Sequence, residues 1–180
     1  MSKSVYRHVK RPTKGTIRDL QKELVIYAPM MDGAPSGEAD ATYVVYGISP
    51  MWQFAGDADN SICMEANIPD DRVPYTPITL EAEYFMAGVG GVRIVTALRY
   101  GIFGRGEAPP LLGTESWAYF IKIPPAAQRT DIIGPLGIPG SLIDGREKPI
   151  NMQAVVTRLA THPLDVDPNA MYLVKAIMRY

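Results

Sequence analysis

Apolar and polar positions alternate along much of this chain, most sharply between Ile78 and Met86. There Ile78, Leu80, Ala82, Tyr84 and Met86 share one face, and Thr79, Glu81, Glu83 and Phe85 share the other. A period of two marks a strand with one buried face. The same period runs through 92–100, with Val92, Ile94, Thr96, Leu98 and Tyr100 set against Arg93, Val95, Ala97 and Arg99. Gly88-Val89-Gly90-Gly91 joins the two runs. Together they read as a hairpin whose outer face offers Glu81 and Glu83 to Arg93 and Arg99. Tyr84, Tyr100 and Tyr172 share the phase of their apolar neighbours and are assigned to the core.

Further strands are predicted over 24–28, stopped by Pro29, over 42–46, and over 61–68, where Ile62, Met64, Ala66 and Ile68 share a face before Pro69. Others follow at 117–123, 150–159 and 171–180, with a short one at 131–133. The last of these ends the sequence, so its final residue is expected to be held in a sheet. Segments 31–40, 56–60, 70–77, 105–114 and 134–149 are rich in Asp, Gly, Pro or Ser and read as loops. Gly and Pro number 16 each among 180 residues, which favours many turns over long helices. No helical period is sustained after Glu23. The fold class is therefore all-β: an antiparallel β-sandwich or jelly roll of about eight strands with an extended N-terminal arm. The local signals of sandwich and jelly roll are the same. At 47% hydrophobic and 21% charged, the chain has enough apolar residue for one packed core.

Residues 1–22 form the arm and 23–180 the sandwich domain. The arm has no clean period up to Gly15, and 16–22 fits one or two helical turns capped by Thr16. Its charge sets it apart. Lys3, Arg7, Lys10, Arg11, Lys14, Arg18 and Lys22 face a single acid, Asp19, for a net +6, while the rest of the chain carries −7. Opposite signs point to an arm that docks on something acidic, either nucleic acid or an acidic protein surface such as a sister copy. Nucleic acid is disfavoured: Tyr6 is the arm's one aromatic, and the acidic body would repel phosphate. The charge split suits a closed homo-oligomer, first of all a trimer, with a dimer as the alternative.

Candidate chemistry is sparse. His8 lies in the arm and His162 in a turn before Pro163, and neither completes a nucleophilic set. The lone Cys63 reads as a small apolar packer and can form no internal disulfide. Asp57/Asp59, Asp70/Asp71 and Asp165/Asp167 fall in turns, where aspartate bonds to nearby backbone. The two DxD turns lack the glycine and distal glutamate of a calcium loop, so no metal, cofactor or catalytic residue is assigned and the chain is read as non-enzymatic. Trp52, beside Pro50 and the turn at 56–60, is the aromatic least committed to a core. With Asp57 and Asp59 it is the first choice for a ligand platform, a glycan being the natural ligand. No apolar run approaches the ~20 residues of a membrane span, and the arm lacks the apolar core of an export signal. The expectation is cytoplasmic synthesis without classical export or membrane insertion.

From about Pro50 onward the order of these signals resembles a β-sandwich module of tailed-bacteriophage virion proteins. The matching pieces are Ser61-Ile62-Cys63-Met64-Glu65-Ala66-Asn67-Ile68-Pro69-Asp70, then 78–84, 91–100, 153–159 with Arg158, and the closing DVDPNAMYLVKAIMRY. They cover roughly two-thirds of the chain. The basic arm and the loop at 134–149 are additions. The resemblance implies a virion location after synthesis in the host cytoplasm. It implies a structural role as capsid decoration, head or tail fibre, or receptor-binding tip, in contact with other virion proteins, and it carries over no catalytic residue. A carbohydrate-binding or receptor-binding module is the alternative.

Overall fold

A computed structural model describes residues 22–35, 37–88, 91–109, 116–125 and 129–180. Backbone alone is described for Ser116 and Trp117. Eleven strands are present among the described residues: β1 (Glu23–Tyr27), β2 (Met31–Asp32), β3 (Thr42–Tyr46), β4 (Ser49–Phe54), β5 (Asn60–Asn67), β6 (Ile78–Met86), β7 (Ile94–Phe103), β8 (Ser116–Lys122), β9 (Asp131–Ile138), β10 (Asn151–Arg158) and β11 (Met171–Arg179). They form two antiparallel sheets packed as a β-sandwich. The first sheet has the order β3-β4-β11-β6-β9, with β1 also on β11; the second has β2-β5-β10-β7-β8. No helix among the described residues is long and apolar enough to cross a membrane.

The alternation read from β6 is the alternation of burial. Ile78, Leu80, Ala82, Tyr84 and Met86 point into the core, where Ile62, Met64, Leu98, Met152 and Val156 of the second sheet meet them. The Tyr84 hydroxyl donates to Asp131 Oδ2 at 3.2 Å. Burial, then the charge and hydrogen bond of Asp131, push its phenol well above the ordinary range.

The hairpin reading of 78–100 is overturned. β6 pairs with β11 and β9, whereas β7 pairs with β10 and β8, so the chain changes sheet between them. Alternation and a glycine-rich joint are local features. Sheet membership is decided by the later strands β10 and β11, which insert beside β7 and β6. The expected ion pairs change accordingly. Glu81 pairs with Arg179, Glu83 with Lys175 at 3.0 Å, and Arg99 with Glu38 at 2.6 Å.

Strict alternation would place Lys175 on the core face of β11, in phase with Met171 and Leu173. A β-bulge between Leu173 and Lys175 prevents this. It resets the phase so that Ala176 and Met178 turn inward and Lys175 turns out to Glu83. Tyr172 therefore lies on the outer face, not in the core: it stacks on Phe85 with ring centroids 5.0 Å apart, and Tyr46 closes the cluster. Cys63 likewise faces away from Ile62 and Met64 and is half-buried.

Three elements escape the sequence pattern. β4, with Pro50 and Trp52, falls where the alternation predicts no strand. β2 is two residues long. β9 extends through the expected loop as far as Ile138, because a bulge at Gly134-Pro135 opposite Glu81 returns Leu136 and Ile138 to the core after Ile133. Gly134 has φ +116, a region glycine occupies readily. Pro135 is tolerated because β9 is a sheet edge.

Candidate functional site

The acidic turn that precedes β11 is a folding device. Arg158, fully buried at the end of β10, donates through Nε to Asp165 Oδ2 at 3.2 Å and through Nη2 to Asp165 Oδ1 at 3.0 Å. Its remaining N–H groups reach the carbonyls of Asp167 and Asn169. Asp165 also accepts the Val95 N–H at 2.9 Å, which ties the turn to β7. Asp167 Oδ1 accepts from the backbone and side chain of Asn169 at 2.9 and 2.8 Å. The guanidinium thus occupies the centre of the turn as its cation. No group of three or more His, Cys, Asp or Glu among the described residues is placed to hold a metal.

A cleft of about 600 Å³ lies on the outer face of the second sheet. Ser61 on β5, Thr157 on β10, Ala97 on β7 and Tyr119 on β8 are successive cross-strand neighbours and cross it in a row. The segment 37–39 forms one wall, because Ser61 exchanges backbone bonds with Ala39 and Ala41 at 2.9 and 3.0 Å. Glu38 Oε2 accepts from Arg99 Nη2 at 2.6 Å and from the Ser61 hydroxyl at 2.5 Å. The Ser61 and Thr157 hydroxyls lie 2.8 Å apart. Burial pushes the Glu38 carboxyl up, but the hydrogen bonds from Arg99 and Ser61 and the Arg99 charge outweigh it and hold the group below its usual range. Tyr119 is exposed at the far side. A pre-set array of carboxylate, guanidinium and hydroxyl beside a tyrosine ring can hydrogen-bond and stack a polyhydroxylated ligand. Sequence reasoning missed this site because its organiser, Glu38, sits in a loop remote in sequence from Arg99.

The residues singled out for a ligand platform fall in different places. Trp52 lies on β4 in the first sheet, where its indole N–H donates to the Ala28 carbonyl at 2.9 Å and its ring meets Tyr43 edge-on at 5.3 Å. Asp57 is exposed in the turn after β4. Asp59 lines the cleft and holds Thr161 through N–H and hydroxyl at 2.8 and 3.0 Å. The arm residues Lys3, Arg7, Lys10, Arg11, Lys14 and Arg18, with His8, lie outside the described residues. Lys22, at the arm's end, is already part of the fold: it exchanges backbone bonds with Tyr180 at 3.0 Å and forms an ion pair with Asp71.

No protein-family model matches this sequence, and no curated protein sequence matches it. Distant likenesses exist among solved structures. The infectious bursal disease virus Gx strain structure matches 89% of this chain and 32% of its own, with a TM-score of 0.43 and 15% identity. A Family 16 carbohydrate-binding module matches 81% of this chain and 89% of its own, with 0.40 and 11%. The enzymatically active domain of bacteriophage CBA120 tailspike protein 4 matches 87% of this chain and 19% of its own, with 0.32 and 8%. The chain spans about a third of the viral chain it matches. At such identities and scores none of these likenesses bears on function.

Proposed function

We propose that this chain is a non-enzymatic structural module of a phage particle, such as a capsid decoration or a head or tail fibre component. It attaches through its basic arm and through contacts with sister copies. The observation that carries the reading is the division of labour along the chain. The late arginine, acidic turn and closing strand, which carry the resemblance to virion proteins, are consumed in one buried staple. The excess positive charge is collected in residues 1–22, apart from an acidic body. Such an arm binds by charge and by avidity across copies.

Removal of residues 1–21 tests this while keeping the Lys22–Tyr180 pair. The truncated sandwich is expected to melt within a few degrees of the full chain and to lose co-sedimentation with assembled particles. Attachment of the full chain should weaken as salt is raised. A truncated chain that co-sediments as well as the full one would defeat the reading.

The cleft on the second sheet favours a second function in the same module, binding of carbohydrate. Replacing Tyr119 or Arg99 by alanine is expected to weaken glycan binding at least tenfold in titration calorimetry. The sign of the pH effect follows from Glu38. A carboxyl lowered by folding contributes stability above its unfolded pKa and loses it as pH falls through the folded value. The wall at 37–39 should therefore loosen, and binding fall, only in acid below the normal carboxylate range. Full binding by both variants would eliminate this reading.

A further inference from the structure

We propose that the open edge of β3 is a two-fold interface at which a second copy of this chain extends the first sheet. The pairing is antiparallel and centred on Val44. The five sheet edges among the described residues are unequal: β1, which pairs with β11 alone, opens on the charged Glu23 and runs straight into Pro29. β9 carries a bulge and Pro135, β2 is two residues long, and β8 ends in Lys122. These are the devices that blunt an edge against pairing. β3 has none of them: its five residues are Thr-Tyr-Val-Val-Tyr, paired to β4 without a register break. The segment 41–56 holds no charged side chain at all.

Which backbone groups face outward follows from the turn. Tyr46 opposes Ser49 across Gly47 and Ile48, and Gly47 has φ +65. A two-residue hairpin closes on a hydrogen-bonded pair. Tyr46, Val44 and Thr42 therefore bond to β4, while Tyr43 and Val45 aim N–H and C=O at the open side. Pro50, opposite Val45, sits at a non-bonding position, where its missing N–H costs the ladder nothing.

Two such edges can satisfy each other only if an outward-bonding residue meets an outward-bonding residue. The palindrome Tyr-Val-Val-Tyr would match Tyr43 with Tyr46, but this sets an outward residue against an inward one. The register centred on Val44 sets Tyr43 against Val45 of the second copy and Val45 against Tyr43, each pair exchanging both bonds. It also stacks the side chains favourably. Tyr43 meets Trp52 on the core-side face, which Val45 shares by alternation, yet the two are 47% and 66% exposed because β3 overhangs the sandwich. The two-fold turns these into aromatic–β-branched pairs, a favourable cross-strand combination. Covered aromatics bury on the order of 150–250 Å² each, so Tyr43, Val45 and Tyr46 would bury roughly 300 Å² per copy. That is below a standard interface of about 800 Å² per partner. The contact is a weak dimer, made effective where copies are concentrated, and it closes at two rather than three. It does not depend on the virion reading.

The test combines mass with register. Light scattering on the full chain up to hundreds of micromolar should show a reversible monomer–dimer equilibrium. Val45→Lys, at an exposed position, should weaken it at least tenfold without lowering the melting temperature. In a Cys63→Ser background, Val44→Cys should form a disulfide dimer on mild oxidation and Val45→Cys should not, since only residue 44 faces its own copy. A chain that stays monomeric, a dimer indifferent to Val45→Lys, or equal cross-linking at both positions would overturn the proposal. So would slow amide exchange at Tyr43 and Val45 in the dilute monomer, which would mean that the chain's own arm covers the edge.

Discussion

Replacing Arg158 by alanine is expected to lower stability by about 3–5 kcal/mol, the scale for breaking a buried ion pair. That is a large part of the roughly 5–15 kcal/mol that holds a domain folded. Arg158 is fully buried, and Asp165 nearly so. Without the guanidinium, Asp165 is left buried with only the N–H groups of Val95 and Asp167 as partners. The carbonyls of Asp167 and Asn169 lose a donor as well. Arg158→Lys should recover a minor part, because an ammonium cannot serve both oxygens of Asp165 and two diverging carbonyls. Removing both charges with Arg158→Met and Asp165→Leu should not restore the parent, since the buried Val95 N–H would lose its acceptor. Lys175→Ala, which breaks an outer-face pair with Glu83, supplies the contrast at about 1 kcal/mol or less. Urea unfolding reads all four. An Arg158→Ala chain within about 1 kcal/mol of the parent would refute the account of the staple.

Gly56→Ala is expected to be nearly as damaging, at about 1–3 kcal/mol or more for forced overpacking. A Cβ at Gly56 would fall within the Pro168 carbonyl and close on that of Asn169. Both carbonyls belong to the turn that Arg158 clamps, so neither side can retreat cheaply. Gly137→Ala is the control. It lies on the β9 edge with nothing within 4 Å of its added carbon and no positive φ. It should be neutral, or stabilising by a few tenths of a kcal/mol through the unfolded chain. Equal effects of the two substitutions would show that the close approach at Gly56 is unimportant.

The sequence was most legible where one strand lies between two neighbours over a continuous core. β6 and β5 show their burial in their alternation, because the residues they turn to the core keep an unbroken period of two. Legibility failed where the backbone steps out of period. The bulges in β9 and β11 each insert a residue that no side-chain pattern announces, which hid most of β9 and misplaced Tyr172. Pro50 concealed β4 because proline argues against a strand until the bonding phase is known. Pairing was the least legible property. Glu38–Arg99 and Glu81–Arg179 join residues 61 and 98 positions apart, and nothing local in the sequence distinguishes them from the nearer pairs expected across a hairpin. The candidate cleft was hidden for the same reason, although Asp59 was chosen from the sequence and does line it.

The position of β11 has a consequence for how the molecule is made. Of the eleven described strands it is made after the other ten, yet it sits at the centre of its sheet, flanked by β6 on one side and by β4 and β1 on the other. While the ribosome is still working, β6 and β4 have no partner between them, and the first sheet remains split into the β3-β4 and β6-β9 pairs. A chain dominated by distant pairings pays the loop-closure cost before its contacts reward it, and so folds slowly. Until residues 171–179 emerge, the apolar faces of β4 and β6 are open to other nascent copies, and this interval is when the protein is most vulnerable to aggregation.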